Sequence, residues 1–369
     1  MQGRVMFVGG GTAGHATPCI AVSEALARRD PSTEFLFVGA NRENDRRLFE
    51  GLSLPHVLVD ARPFPYRPSV AMAKALLALP KARSHAREFI ADFGPHVIFS
   101  TGGYVAAPVI PVAKKMGIPV ILHAADAMPG RANRMLARYA STVTLAYEES
   151  RGRFARHEVA VVGQPVRRQF REASPERGRE ALGIPLDATV ILAFGAAQGA
   201  DSINRAVRDA LRDLLTVPHL HIVLLTGAAH VERYENAAAD IEPAEGAGFH
   251  CLSFISDFGD VMAASDLIIS RCGSSSLAEI LAVGAPLIAV PYPHAGGHQR
   301  HNTTPLADAG AALVVEDEHL SGATLGGTVV ELLGDPGRMT AMAAASAKLG
   351  QADAAEAVAE LICQHFPHD

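Results

Sequence analysis

One pattern recurs along the chain and constrains its fold more than any other. A run of four or five apolar residues breaks into a glycine-rich or polar loop, and a helical apolar period follows. Val5-Met-Phe-Val8 meets Gly9-Gly-Gly-Thr-Ala-Gly-His15, and then Ile20, Val22 and Leu26. Runs this short, without polar alternation, suit strands of a parallel sheet covered on both faces. Val97-Ile-Phe-Ser100 leads into Thr101-Gly-Gly-Tyr104, and Pro119-Val-Ile-Leu122 into His123-Ala-Ala-Asp126 and Pro129-Gly-Arg-Ala-Asn133. Val159-Ala-Val-Val162 and Gly163-Gln-Pro-Val-Arg167 read as a last strand and an exit.

The pattern then restarts. Strands are expected at 190–194, before Gly195-Ala-Ala-Gln-Gly199, and at 221–225, before Thr226-Gly227. Others are expected at 251–254, 267–270 and 286–290. Two α/β units of similar length imply two Rossmann-like, doubly wound domains facing across a cleft, over residues 1–163 and 164–345. Ala-rich helices are expected at about 336–349 and 352–366, with 346–369 packing back on the first domain. In such sheets the loops after the strands open on one carboxyl edge, where ligands bind.

Composition narrows the class. At 369 residues there is room for two ordinary domains. Cys19, Cys251, Cys272 and Cys363 show no paired spacing, so neither a zinc site nor a disulfide framework is expected, and a reducing compartment is. The chain enters a strand at once, so no signal peptide is expected, and no uncharged run reaches the ~18 residues of a membrane span. The net charge of −6 divides into +7 over residues 1–163 and −13 over the remainder. A basic half beside an acidic half points to an anionic partner for one face, against the alternative of plain solvated charge.

The loops carry the candidate chemistry. Ser270-Arg-Cys-Gly-Ser-Ser-Ser-Leu-Ala-Glu279 is strand, turn and helix start, and the free amides of a helix N-terminus attract anions. Glu279, a turn into that helix, is placed to chelate ribose hydroxyls. The loop from Pro291 to Asn302 offers imidazoles and amides with few charges, which suits sugar hydroxyls. The plainer reading of each loop is a polar connection without a ligand. Gly9, Gly11 and Gly14 match G-x-G-x-x-G, but Phe35-Leu-Phe-Val38 ends in Gly39-Ala-Asn41 with no carboxylate. A dehydrogenase is therefore rejected, and a phosphate-holding loop is kept. His15, His123 and Asp126 share the edge, and any of them could act as general base. Residues 62–93 read as a Pro-rich loop and two helices broken at Pro80. The first is apolar, with Arg67, Lys74, Lys81 and Arg83 at its borders, which fits a membrane-surface patch or a buried crossover helix.

With these loops in order, the sequence resembles the MurG family, the UDP-N-acetylglucosamine:undecaprenyl-pyrophosphoryl-muramoylpentapeptide N-acetylglucosaminyltransferases of GT-B glycosyltransferase family 28. The likeness covers essentially the whole chain, strongest at 9–18, 101–104, 129–133, 163–167, Gln198-Gly199 with Asn204, 270–279 and 298–310. The resemblance implies an inverting transferase that moves N-acetylglucosamine from UDP to the C4 hydroxyl of the muramoyl sugar of lipid I, giving lipid II for peptidoglycan. It implies a donor site of Arg167, Gln198, Asn204, Ile255, Ser274, Glu279, His298, Gln299 and Asn302. The acceptor diphosphate would lie on Gly11, Thr12, Ala13, Gly14, Gly102, Gly103 and Tyr104, with Asn133 beside them. His15 is the first choice for the base, with Asp126 and His123 as rivals.

No cofactor and no tightly bound metal are expected, since no D-x-D pair occurs. The implied partners are UDP-N-acetylglucosamine, lipid I and an anionic membrane surface, not nucleic acid. The implied place is peripheral, on the cytoplasmic face of the bacterial inner membrane, in a role serving cell shape and division. Two motifs depart from the family: His123-Ala-Ala-Asp126 replaces His-Glu-Gln-Asn, and Gly195-Ala-Ala-Gln-Gly199 replaces Gly-Gly-Ser-Gln-Gly. The first motivates an alternative, a UDP-sugar transferase with another lipid or aglycone acceptor. A UDP-N-acetylglucosamine 2-epimerase and a silent binding protein are the readings from other classes.

Overall fold

The computed structural model describes residues 2–11, 13–62, 69–195, 199–293, 297–351 and 353–367. Thr12, the side chain of Ala13, Arg67 and Gln198, all singled out above, lie outside the described residues. The chain forms two compact units, one of residues 1–167 with 353–369 and the other of residues 168–352.

The strands of the first unit are β1 (Arg4–Val8), β2 (Glu34–Ala40), β3 (His56–Val59), β4 (Val97–Ser100), β5 (Val120–Ala124), β6 (Thr142–Leu145) and β7 (Val159–Val161). Its first helices are α1 (Ala13–Arg29), α2 (Glu43–Gly51), α3 (Val70–Phe93), α4 (Gly103–Lys115) and α5 (Arg131–Leu136). The sheet runs β3-β2-β1-β4-β5-β6-β7, with every adjacent pair parallel. Successive side chains of β1 go to opposite faces, and both faces are covered. Met6 and Val8 join a core with Ala86, Ile90 and Val109 of α3 and α4. Val5 and Phe7 join another with Ile20 and Leu26 of α1. Each such side chain contributes roughly 1.5–3 kcal/mol on burial.

In the second unit the strands are β8 (Thr189–Phe194), β9 (Leu220–Leu225), β10 (Gly248–Leu252), β11 (Leu267–Ser270), β12 (Leu287–Ala289) and β13 (Ala312–Val314). They are ordered β10-β9-β8-β11-β12-β13, again all parallel. The unit's helices begin with α6 (Arg168–Arg171) and α7 (Pro175–Leu182). Then come α8 (Asp201–Leu214), α9 (Val231–Tyr234), α10 (Phe258–Ala263), α11 (Ser274–Val283), α12 (His298–Asp308), α13 (Gly322–Leu333) and α14 (Pro336–Leu349). Ile191, Ala193, Ile222 and Ile269 of the sheet pack with Ile203, Val207, Leu325 and Val329 of α8 and α13. The last helix, α15 (Ala354–Cys363), returns to the first unit. Its Ala355, Val358, Ala359 and Ile362 join the core of α1.

Three features differ from the sequence expectation. Residues 70–93 form one helix, not two, with Pro80 inside it. Ala75 precedes the proline, and Ala82, Ala86 and Ile90 follow it, all buried, so packing on both sides outweighs the lost hydrogen bond. Strands β3, β6 and β13 were not expected: β3 is half-buried, β6 alternates threonine with its apolar residues, and β13 has three residues. The strand expected at 251–254 begins and ends earlier, at Gly248–Leu252.

Candidate active site

In the first sheet the chain winds one way through β1, β2 and β3 and the other way through β4 to β7. The loops after β1 and β4 therefore meet at the point where the order reverses, the usual ligand crevice of such a sheet. They are the two glycine loops of this unit. Gly11, Gly102 and Gly103 have φ of +87°, +83° and +73°, a region that favours glycine. A Cβ on Gly11 would also stand 2.3 Å from the Tyr104 hydroxyl.

The amides of these glycines were expected to hold an anion, and the structure corrects this. Gly11 N–H donates to Asp45 Oδ2 at 2.7 Å, and the same oxygen accepts Ala40 N–H at 2.7 Å. Gly102 N–H donates to Ser100 Oγ at 3.0 Å, and Gly103 N–H to Asn133 Oδ1 at 3.3 Å. The Asn133 amide in turn donates to the carbonyls of Thr101 and His123. Asn133 is thus a brace between loops, buried beneath the edge. Two polar atoms remain buried without a partner, His15 Nδ1 and the Tyr104 hydroxyl. An orphaned buried polar atom costs about 1–3 kcal/mol, so a ligand that satisfies it is favoured.

The three candidate bases differ in setting. His123 is buried, with Nδ1 3.1 Å from Thr144 Oγ1 and Nε2 2.8 Å from Gln164 Oε1. Burial pushes its pKa down to about 4, against the opposing pull of Gln164 and Asp126. With both ring nitrogens engaged, it is a positioning group and not the expected base. Burial also lowers the His15 pKa, and Asp126, the Thr101 carbonyl and Asp45 offset part of that effect. His15 packs against Gly103, and the half-buried Asp126 after β5 is the main charge that opposes the effect of burial on it.

In the second unit the order reverses between β8 and β11, and the loops after those strands begin at Gly195 and Arg271. Ser274 is buried at the start of α11, and Glu279 is half-buried further along it. Asn204, fully buried in α8, donates to the Thr226 carbonyl at 3.2 Å and leaves its Oδ1 unpartnered. Ile255 is half-buried after β10, beside a largely exposed Phe254. His298 opens α12.

Gln299 and Asn302 both engage backbone. Gln299 Oε1 accepts the amides of Cys272 and Tyr292, both at 3.0 Å, and Asn302 is fully buried with Nδ2 on the Cys272 carbonyl. Both tie α12 to the β11 loop. Arg167, expected at the donor, belongs to the first unit and donates to Glu24 Oε1 at 3.0 Å.

Sequence reasoning missed two groups. A carboxylate was sought at the end of β2 and not found; Asp45 stands within α2, folded back over Gly10 and Gly39, where no side chain obstructs it. Arg271, inside the quoted Gly/Ser stretch, is buried and pairs with Asp317 at 2.6 Å. It also reaches Ser202 Oγ and the Val290 carbonyl, so it links the segments after β11, β12 and β13 to the start of α8. Among the described residues, no cluster of three or more His, Cys, Asp or Glu could hold a metal ion.

Two buried parallel sheets, each with its polar loops at the reversal of strand order, define the GT-B class of nucleotide-sugar transferases. The family models are more specific. The N-terminal domain of glycosyltransferase family 28 matches residues 5–145 and its C-terminal domain matches 190–358. The chain belongs to glycosyltransferase family 28. A Desulforudis audaxviator protein is 34% identical over 97% of both chains. It is named UDP-N-acetylglucosamine--N-acetylmuramyl-(pentapeptide) pyrophosphoryl-undecaprenol N-acetylglucosamine transferase. The crystal structure of Acinetobacter baumannii MurG has a TM-score of 0.75 at 25% identity, covering 99% of this chain and 100% of that one. A Neisseria meningitidis UDP-GlcNAc 2-epimerase has a TM-score of 0.70 at 14% identity, covering 98% and 100%, which shows a shared fold alone.

Two outcomes are expected from this geometry. The folded pKa of His123 lies below its ordinary 6.5, so its contribution is complete above pH 6.5 and is lost as pH falls towards 4. The loss amounts to up to about 3 kcal/mol, read from urea unfolding across that window, with the His123 ring still neutral by NMR at pH 5.5. Asp45→Asn removes a charged acceptor from two amides. It should cost about 1.5–3 kcal/mol and speed hydrogen exchange at Gly11 and Ala40; unchanged exchange would refute the brace.

Proposed function

We propose that the protein transfers N-acetylglucosamine from UDP-N-acetylglucosamine to the C4 hydroxyl of the muramoyl sugar of a pentapeptide-bearing pyrophosphoryl-undecaprenol lipid, with inversion. The full-length similarity to transferases of that name is the observation that carries the reading. The site supports it. His15 has a free ring nitrogen and a pKa held below the ordinary value, so it is neutral near pH 7 and ready to take the acceptor proton. Asp126 stabilises the imidazolium that forms, a role for the carboxylate that distinguishes this loop from the family motif. The Tyr104 hydroxyl positions the acceptor. In the second unit the α11 N-terminus stabilises the leaving UDP, and Glu279 holds the ribose.

The acceptor is a lipid, and α3 suits contact with a membrane surface. Val70, Leu76 and Leu77 are 74%, 54% and 80% exposed, a cost in water that an apolar phase relieves. Lys74, Lys81 and Arg83 border them, also exposed, and none is in an ion pair among the described residues. Each cation near an anionic leaflet contributes roughly 1 kcal/mol. Among the described residues no helix is long and apolar enough to cross a membrane. We place the protein peripherally, on the cytoplasmic leaflet where UDP-sugars are found.

The deciding assay follows label from UDP-N-acetylglucosamine to a short-chain lipid I analogue. A β-linked disaccharide lipid is expected; donor binding without product would refute the acceptor assignment. His15→Gln should lower kcat by ~10²–10⁴ with donor binding unchanged, and the wild-type acid limb should fall below pH 6.5. Replacing Leu76 and Leu77 by serine should abolish sedimentation with vesicles rich in anionic lipid while sparing transfer to a soluble acceptor. Retained sedimentation would assign the membrane surface elsewhere.

A further inference from the structure

We propose that Thr101 is a positioning residue for the transfer, holding His15 where its imidazole meets the acceptor. The inference deepens the reading of His15 as the base and rests on it. Thr101 follows β4 at the edge where the strand order reverses, and it is fully buried. Its Oγ1 donates to the backbone carbonyl of His15 at 2.8 Å, across 86 positions of the chain. This bond joins the β4 loop to the start of α1, which carries the imidazole.

The backbone that it grips needs an anchor. His15 stands in the first turn of α1, after a glycine loop in which Gly11 has a φ of +87°, so local geometry alone leaves several paths open. Pro18 lies inside the helix and has no N–H, so the ladder bond that would close on residue 14 is absent. Thr101, by contrast, is fixed on both sides of its side chain. Its amide donates to the Val8 carbonyl at 3.2 Å, and its own carbonyl accepts Asn133 Nδ2 at 3.3 Å. Gly9 keeps the contact open: a Cβ there would stand 2.3 Å from the His15 carbonyl oxygen and 2.5 Å from Thr101 Oγ1.

The same residue also meets the ring. Burial lowers the His15 pKa, and after Asp126 it is the Thr101 carbonyl that opposes this most. A carbonyl only accepts, so it favours the tautomer with a hydrogen on the nitrogen nearest it and leaves the other nitrogen to take a proton. Nδ1 of His15 has no partner, which fits that division. One neighbour therefore holds His15 at two points, through its backbone and through its ring. Such orientation matters because a misplacement of about 1 Å can lower a rate ~10²-fold.

Comparing Thr101→Val with Thr101→Ser separates the hydroxyl from the packing. Valine keeps the shape and removes the donor; serine keeps the donor and removes the methyl. With a short-chain lipid I analogue as acceptor, Thr101→Val should lower kcat ~10-fold or more while KM for UDP-N-acetylglucosamine stays put, and Thr101→Ser should recover most of the loss. In the His15→Gln background Thr101→Val should cause no further loss, since the two residues act as one unit. Should the valine variant not fold, Thr101→Ala against Thr101→Ser makes the same comparison. Wild-type kcat in Thr101→Val, a serine variant as slow as the valine one, or an equal loss in the His15→Gln background overturns the positioning role and leaves the base reading standing. Wild-type kcat in His15→Gln alone overturns the base reading, and the role of Thr101 with it.

Discussion

Both units depend on a parallel sheet that is covered on its two faces and reverses its strand order once. Because helices cover both faces, the strands can be short apolar runs that turn polar only at the last residue, as Val97-Ile-Phe-Ser100 and Leu267-Ile-Ile-Ser270 do. Polar groups are then confined to the ends of the strands. The reversal opens a crevice between β1 and β4 in one unit and between β8 and β11 in the other, and the glycine loops fall at these places. A shift of one strand in either order would carry the loops away from each other, and no side chain on them could compensate.

Loops at such a crevice lack the regular hydrogen bonds of the sheet, and in this protein buried polar side chains supply them. Asp45 serves the β1 loop, Asn133 the β4 loop, and Gln299 with Asn302 the β11 loop. Arg271 with Asp317 performs the same work; its buried charge is tolerated because Asp317 pairs with it and Ser202 and two backbone carbonyls accept from it. The consequence for function is that several residues of the motifs hold backbone, not substrate. At the first unit's glycine loops two polar atoms remain buried without a partner, an imidazole nitrogen of His15 and the phenol hydroxyl of Tyr104. That set suits transfer of a sugar between two large anionic molecules, in which most binding comes from phosphates and most catalysis from one proton acceptor.

The altered loop His123-Ala-Ala-Asp126 fits this division. His123 is held in the sheet edge by Thr144 and Gln164, and the carboxylate two residues beyond Ala124 acts on His15 electrostatically.

Most strands were legible because a buried parallel strand has one signature, an apolar run that ends abruptly in glycine. β6 was not, since Thr142 and Thr144 break the run, and Thr144 is polar for the sake of His123. Pro80 misled because a local rule about helix interiors cannot see Ala82, Ala86 and Ile90 anchoring the following turns. At the site the sequence by itself determined which loops are glycine-rich, which residues on them are titratable, and that two such sets exist. Only the tertiary structure decided what each residue does. Whether Asn302 faces a sugar or a peptide carbonyl, and whether a carboxylate one helix away fills a loop amide, depends on three-dimensional proximity between segments distant in the chain. Periodicity and spacing carry local geometry; which hydrogen-bonding groups are already satisfied is a property of the packed whole.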